Sequence, residues 1–152
     1  YTQLWSEFFA QSMREIGIEV TLLTNDAPAF LNGVYRDHDF DTANGWHQFR
    51  ADPAVSTMVW LRSGTPAGTP WSNQFGYKNE QMDKMIDDAA SELDPEKRAQ
   101  IYHRIQKLEM EEIPVIFAIE HPFISVTSKK LMNHHNTPRW NSSSAYDLWI
   151  KQ

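Results

Sequence analysis

The chain has no cysteine among its 152 residues. That excludes disulfides, thiolate metal sites and cysteine nucleophiles, and it is compatible with an oxidising compartment without indicating one. No apolar run approaches the roughly 18 to 20 residues that a membrane span requires. Positive charge is scarce too: 14 Lys and Arg against 20 Asp and Glu leave a net charge of −6. Phosphate contacts need clustered cations, so this balance argues against nucleic acid as a partner. The two basic pairs, Lys97-Arg98 and Lys129-Lys130, read as solvated surface. Motifs are missing as well. There is no G-x-S-x-G, no G-x-x-x-x-G-K-[ST] and no G-x-G-x-x-G, so nucleophile, phosphate-loop and dinucleotide readings lack their basic parts. Nothing in the sequence argues for an enzyme. It holds no internal repeat, no low-complexity tract, and no basic stretch followed by an apolar core of the kind a signal peptide shows. Tyr1 opens directly into an amphipathic pattern with no initiating Met, so the chain reads as a fragment of a longer protein.

What is present is ordinary in amount and aromatic in flavour. Hydrophobic residues are 41%, enough at this length for one domain with a real core. Aromatics reach 12%, with six Trp, which supplies large surfaces for packing or stacking. Six His do not make a metal site. His134 and His135 are adjacent, so their side chains diverge on a regular element, and no further ligand stands at helical spacing from them. No metal and no cofactor is expected. The paired carboxylates Asp87-Asp88 and Glu111-Glu112 fall on exposed helix positions and read as solubilising, and Asp37 and Asp39 around His38 read as a solvated loop.

Periodicity divides the chain. Leu4, Trp5, Phe8, Phe9, Met13 and Ile16 recur at helical spacing, which predicts a helix over 2–16 stopped by Gly17. Ile18, Val20 and Leu22 alternate with polar residues, the period of a half-buried strand. Asp26 can cap a second helix with Pro28 in its first turn and a core face of Phe30, Leu31, Val34 and Tyr35. Asp52-Pro53 starts a short helix carrying Val55, Met58, Val59 and Arg62. Residues 63–76 hold three Gly and two Pro and read as a long loop pinned by Trp71 and Phe75. Asn79 caps the clearest helix, with Met82, Met85, Ile86, Ala89, Ala90 and Leu93 inward, a Met-bearing stripe that reads as core. Asp94-Pro95 starts another, facing the core with Ile101, Tyr102, Ile105 and Leu108. Ile113 to Ile119 is a continuous apolar run, the mark of a strand buried on both faces. Phe123 to Val126 reads as one more strand. Residues 129–144 are polar and turn-rich, and Tyr146 to Ile150 closes with a short apolar segment.

Between the second and third helices lies the densest chemistry, Phe40 to Pro53. A short extended run ends at Gly45-Trp46 and passes into His47, Gln48, Phe49 and Arg50. Two readings stand side by side: a strand-to-loop junction of the sort that holds ligands in open α/β sheets, or a plain junction with Trp46 and Phe49 in the core.

The order of these pieces resembles the C-terminal lobe of the family 5 extracellular solute-binding proteins of ABC transporters, the peptide/nickel/opine-type periplasmic receptors. The resemblance covers nearly the whole chain. It rests on Glu15-Ile16-Gly17-Ile18-Glu19-Val20, on Phe40-Asp41 with Gly45-Trp46, and on Asp52-Pro53. It continues through Asn73 with Gly76-Tyr77-x-Asn79, Asp83, Asp94-Pro95 with Arg98, Tyr102 and Gln106, and Glu112-Ile113-Pro114. The resemblance implies an α/β fold, one lobe of a type II periplasmic-binding-protein fold with a mixed sheet flanked by helices. It makes residues 1–152 a single C-terminal lobe fragment, with about 121–152 crossing back toward a missing N-terminal lobe. It implies solute capture outside the cytoplasm, in the periplasm or an equivalent space, for a membrane permease. Peptides or similar small solutes would be the cargo.

Carried over by position, the family's ligand contacts fall on Trp46 and the residues just beyond it: His47, Gln48, Phe49 and Arg50. One departure matters. Peptide-binding members carry an acidic residue three positions after the Trp, where it receives the α-amino group; here Phe49 stands there, so oligopeptide specificity is not carried over. Arg50 can instead take a carboxylate or phosphate in bidentate fashion. An alternative of another class is the ligand-sensing domain of a cytoplasmic transcriptional regulator that shares the fold. An enzyme would require His47 or His38 to meet a nucleophile or a second carboxylate in one pocket.

Overall fold

Asparagine and aspartate start two of the three long helices where the sequence places them. The computed structural model describes residues 2–47, 50, 52–120, 124, 126–134 and 145–151. In chain order its helices are α1 (Thr2–Glu15), α2 (Ala27–Leu31), α3 (Met58–Leu61), α4 (Glu80–Ser91) and α5 (Pro95–Glu112). The Asn79 side chain accepts hydrogen bonds from the Gln81 and Met82 amides, and Asp94 accepts from Glu96 and Lys97. Pro95 opens α5, where its missing N–H costs nothing. These caps satisfy amides that have no partner inside the helix.

The core is the junction of α3, α4 and α5. Met58, Leu61, Met82, Met85, Ile86, Ala89, Ile101 and Ile105 bury one another, with Tyr77, Tyr102 and Leu108 packed around them. Leu61, Met82 and Ile105 are fully enclosed. Two expected members are absent from it. Ala90 faces solvent, and Leu93 is 95% exposed because α4 ends at Ser91, before the stripe reaches it.

The first third packs separately. α1 ends at Gly17, whose φ of +84° favours a residue without Cβ, and the Ile18 amide reaches back to the Met13 carbonyl. Its expected apolar face is only partly covered: Trp5, Phe9 and Met13 are half-buried, while Leu4, Phe8 and Ile16 face outward. Asp26 caps α2 through the Ala29 amide. The helix then widens into a π-helical turn, Asn32–Asp37, which buries Val34 and Tyr35 and ends at His38 in left-handed geometry. Asn44 fastens the following segment to α1, donating to the Thr2 carbonyl and the Ser6 hydroxyl.

The strands differ from expectation. The described residues contain one antiparallel pair, β1 (Leu131–Met132) and β2 (Trp149–Ile150), in register Leu131↔Ile150 and Met132↔Trp149. Residues 18–22 and 40–45 are irregular. So are residues 113–119, where Ile116 and Ile119 are exposed instead of buried on both faces. Ile124 and Val126 are exposed and irregular too, and Phe123 and Ser125 lie outside the described residues. An extended segment becomes a strand only when a neighbour takes up its backbone donors and acceptors. Among the described residues no strand pairs with these four segments; the Ile18 and Ile113 amides bond back to Met13 and Glu109 instead, so the mixed sheet is not among the described elements.

One buried charge needs a physical account. Glu109 lies on the inner side of α5 with 7% of its surface exposed, and burial pushes its carboxyl above the usual range. Its neighbours include Tyr77, whose phenol feels its charge.

Two outcomes follow from this core. Ile105→Ala should lower unfolding free energy by about 2–5 kcal/mol, as large-to-small core changes do, read as a shifted urea midpoint at constant slope. A loss under about 1 kcal/mol would place Ile105 outside a packed core. Glu109 carries the opposite sign to a salt-bridged acid. Its folded carboxyl binds its proton more tightly than the unfolded one, so the penalty is absent below the ordinary value of 4.5 and grows as pH rises through the folded value. Glu109→Gln should therefore raise the melting temperature at pH 7 and lose that gain toward pH 4.

Candidate functional site

The described residues between Phe40 and Pro53 differ in what they touch. Asp52 is a framework residue. It caps a single 3-10 turn, Pro53–Val55, through the Ala54 amide at 2.9 Å and accepts from Arg98 Nη2 at 3.0 Å. The backbone hydrogen bond, aided by Arg98, holds its carboxyl below the usual range. Arg98 also donates to the Tyr102 hydroxyl at 3.1 Å, with its guanidinium 5.5 Å from that ring. Arg50 is fixed through its backbone: its amide donates to Ser56 Oγ at 2.8 Å, and Ser56 is almost wholly buried. Its side chain is exposed.

Trp46 and His47 enter an aromatic cluster. The His47 ring meets Trp60 edge-on, centroids 4.1 Å apart. Burial, with the charge of Arg50 added, pulls its pKa below the usual imidazole value, so His47 is neutral at pH 7. Trp46 approaches Trp71 at 6.5 Å with planes inclined by 47°. Trp71 in turn stands edge-on to Tyr35 at 6.0 Å, and Tyr35 to Phe30 at 6.4 Å. Of the expected site residues, the structure thus places Trp46, His47 and Arg50 in one neighbourhood; Gln48 and Phe49 lie outside the described residues.

Trp71, expected with Phe75 to pin the 63–76 loop, is held through its backbone, and its indole is 48% exposed, beside Trp46 at 53%. The Trp71 carbonyl accepts from Trp60 Nε1 at 3.2 Å. Its φ is +62°, a conformation a bulky side chain rarely takes. The rest of the loop is fastened likewise. The Gly68 amide reaches the Tyr35 carbonyl at 2.6 Å, Ser72 bonds the Thr69 carbonyl, and Asn73 bridges the Arg62 and Tyr77 carbonyls while accepting from the Tyr77 amide. A spacing signal existed only for Asn73, in the motif shared with Gly76-Tyr77-x-Asn79.

A separate open cleft of about 340 Å³ is lined by His38, Phe40, Asp41, Gln74, Phe75 and Gly76. His38 Nδ1 faces the Gln74 carbonyl at 2.9 Å, which places the ring proton there. That lining set carries no hydroxyl, thiol or amine, so His38 meets a carboxylate but no nucleophile in it. His47 lies elsewhere, against Trp60.

The remaining resemblance residues hold the frame. Glu112, expected to be merely solubilising, accepts from the Tyr77 hydroxyl and from Asn79 Nδ2. Burial and that carboxylate together push the Tyr77 phenol well above its usual range. Asp83 accepts from the Ser63 amide at 2.8 Å. Among the described residues no group of three or more His, Asp or Glu is arranged to hold a metal ion.

No profile of a known protein family matches the chain, and no solved structure does. The chain is similar to the Probable D,D-dipeptide-binding periplasmic protein DdpA of Escherichia coli (strain K12), with 26% identity over 125 residues. The match takes in 79% of this chain and 23% of that protein, so the chain spans about a quarter of its relative's length. By its name that relative is a periplasmic binding protein and not an enzyme. Among the described residues no helix is long and apolar enough to cross a membrane.

The anchoring of Trp71 predicts a local effect. Trp60→Phe removes the donor to the Trp71 carbonyl at a cost of about 0.5–1.5 kcal/mol. Amide exchange over residues 69–73 should accelerate several-fold while α4 and α5 keep their protection. Uniform acceleration everywhere would mean that Trp60 supports the whole core instead.

Proposed function

We propose that this chain is the C-terminal lobe of a two-lobed extracytoplasmic receptor of the family 5 type, which captures a peptide or similar small solute for an ABC importer. The observation that carries the reading is the similarity to a periplasmic dipeptide-binding protein over most of the chain. The tethers among Asp52, Arg98, Tyr102, Asn73, Tyr77, Asn79 and Glu112 support it, because the residues that carry the resemblance brace one another in this fold. In this reading residues 18–22, 40–45 and 113–119 are strands of the lobe's mixed sheet. Their exposed apolar faces are then covered by the remainder of a much longer protein.

Solute binds across Trp46, His47, Gln48, Phe49 and Arg50. Trp46 offers a face for stacking. His47, held neutral, adds no charge, so Arg50 is the cation of the stretch and receives the solute's carboxylate. With no acidic residue at position 49, an α-amino group must find its partner on the other lobe. Closure of the two lobes encloses the solute and presents it to the permease.

Calorimetry on the full-length protein tests this. A dipeptide such as alanyl-alanine should bind more tightly than its C-terminal amide. Arg50→Ala should weaken the free acid about tenfold, the scale of one lost charge-assisted pair, and leave the amide unchanged. If the isolated lobe bound the same dipeptide at micromolar affinity, the half-site picture would fail.

A further inference from the structure

We infer that Trp71 is a ligand-contacting residue, and that Trp46 and Trp71 together form a shelf selecting solutes that carry a flat ring, such as a peptide with an aromatic side chain. The inference rests on the receptor reading above and adds to it a second contact residue and a preference for a side chain.

Three observations converge. First, both indoles are about half exposed although they touch. Large apolar surface left out together, beside half-buried rings, is informative in a way that a lone exposed residue is not. Second, the exposure is imposed. Trp71 sits at φ +62° with its carbonyl bonded to Trp60 Nε1 and its ring edge-on to Tyr35. A core-seeking indole would relax from that strained geometry, and such strain persists where the surroundings over-determine it. Third, the geometry selects a mode. A ring sandwiched between two parallel indoles needs centroids about 7 Å apart, two contacts of roughly 3.5 Å each. At 6.5 Å and 47° the pair has no such slot. It offers two adjoining facets, over which a ring lies as a cover. An alanine-sized side chain reaches one facet at most; a six-membered ring spans both.

Arg50 places this preference relative to the solute's ends. Its charge is felt by His47, whose ring packs on Trp60, and Trp60 holds Trp71. The carboxylate end and the ring therefore belong to neighbouring parts of one ligand, as in a peptide whose C-terminal residue is aromatic.

The test uses the full-length protein and three dipeptides: alanyl-alanine, alanyl-leucine and alanyl-phenylalanine. Alanyl-phenylalanine should bind about tenfold more tightly than alanyl-alanine, with alanyl-leucine between them. Trp71→Gly suits the positive φ and removes the indole; it should bring the three within about twofold. Trp71→Phe should retain most of the preference. Indole emission adds a reading on folded wild type: alanyl-phenylalanine should shift it to the blue, and the shift should shrink in Trp71→Phe. A preference that survives Trp71→Gly intact, or three equal affinities in wild type, overturns the inference and leaves the receptor reading standing. Absence of binding by every dipeptide sinks the peptide reading and the ring preference with it.

Discussion

The structure depends on the antiparallel closure of α4 against α5, sealed where the start of one meets the end of the other. Glu112, in the last turn of α5, receives the Tyr77 hydroxyl and the Asn79 amide from the turn that opens α4. Asn79 also caps α4, so one side chain both begins a helix and ties it to its neighbour. The segment just upstream hangs on this pair: Ser63 on Asp83, Arg62 on Asp87, and Asp52 on Arg98. Exposed ion pairs of this kind are weak individually. Their effect here is to fix direction, since each joins a loop to a helix already rigid through its buried Met and Ile.

That arrangement separates frame from site. Asp52, Asn73, Tyr77, Asn79, Asp83, Arg98, Tyr102 and Glu112 carry the resemblance to solute-binding proteins, and all of them bond to other parts of this chain. A set of residues that maintains a frame is shared readily between proteins of different cargo. The order of the motifs therefore speaks to architecture. In the proposed receptor the choice of solute would fall to the few side chains that face outward, Trp46, Arg50 and Trp71 among them.

How much of this was legible follows the range of each force. The caps at Asn79, Asp94, Asp26 and Asp52 were readable because a cap is decided within three residues. The Met stripe of α4 was readable because helical period and burial coincide there, as far as Ala89. Leu93 escaped because the period ran on after the helix had stopped. The strands escaped for a deeper reason: Ile113 to Ile119 has the composition of a buried strand, yet a ladder needs a partner, and no local pattern reveals whether one is within reach. Trp46, His47 and Arg50 were named through the resemblance, while the structure shows His47 against Trp60 and Trp46 beside Trp71. The tie of Glu112 was not legible because its partners, Tyr77 and Asn79, lie more than thirty positions away.

The fastening of the 63–76 loop has a kinetic consequence. A loop of that length with three Gly would ordinarily be ordered only when a ligand arrives, at about 1–2 kcal/mol of backbone entropy per residue fixed. Here that ordering is completed at folding, through Gly68, Trp71, Ser72 and Asn73. In the receptor proposed above, a solute would meet a finished surface, and the slow coordinate of capture would be the swing of one lobe toward the other.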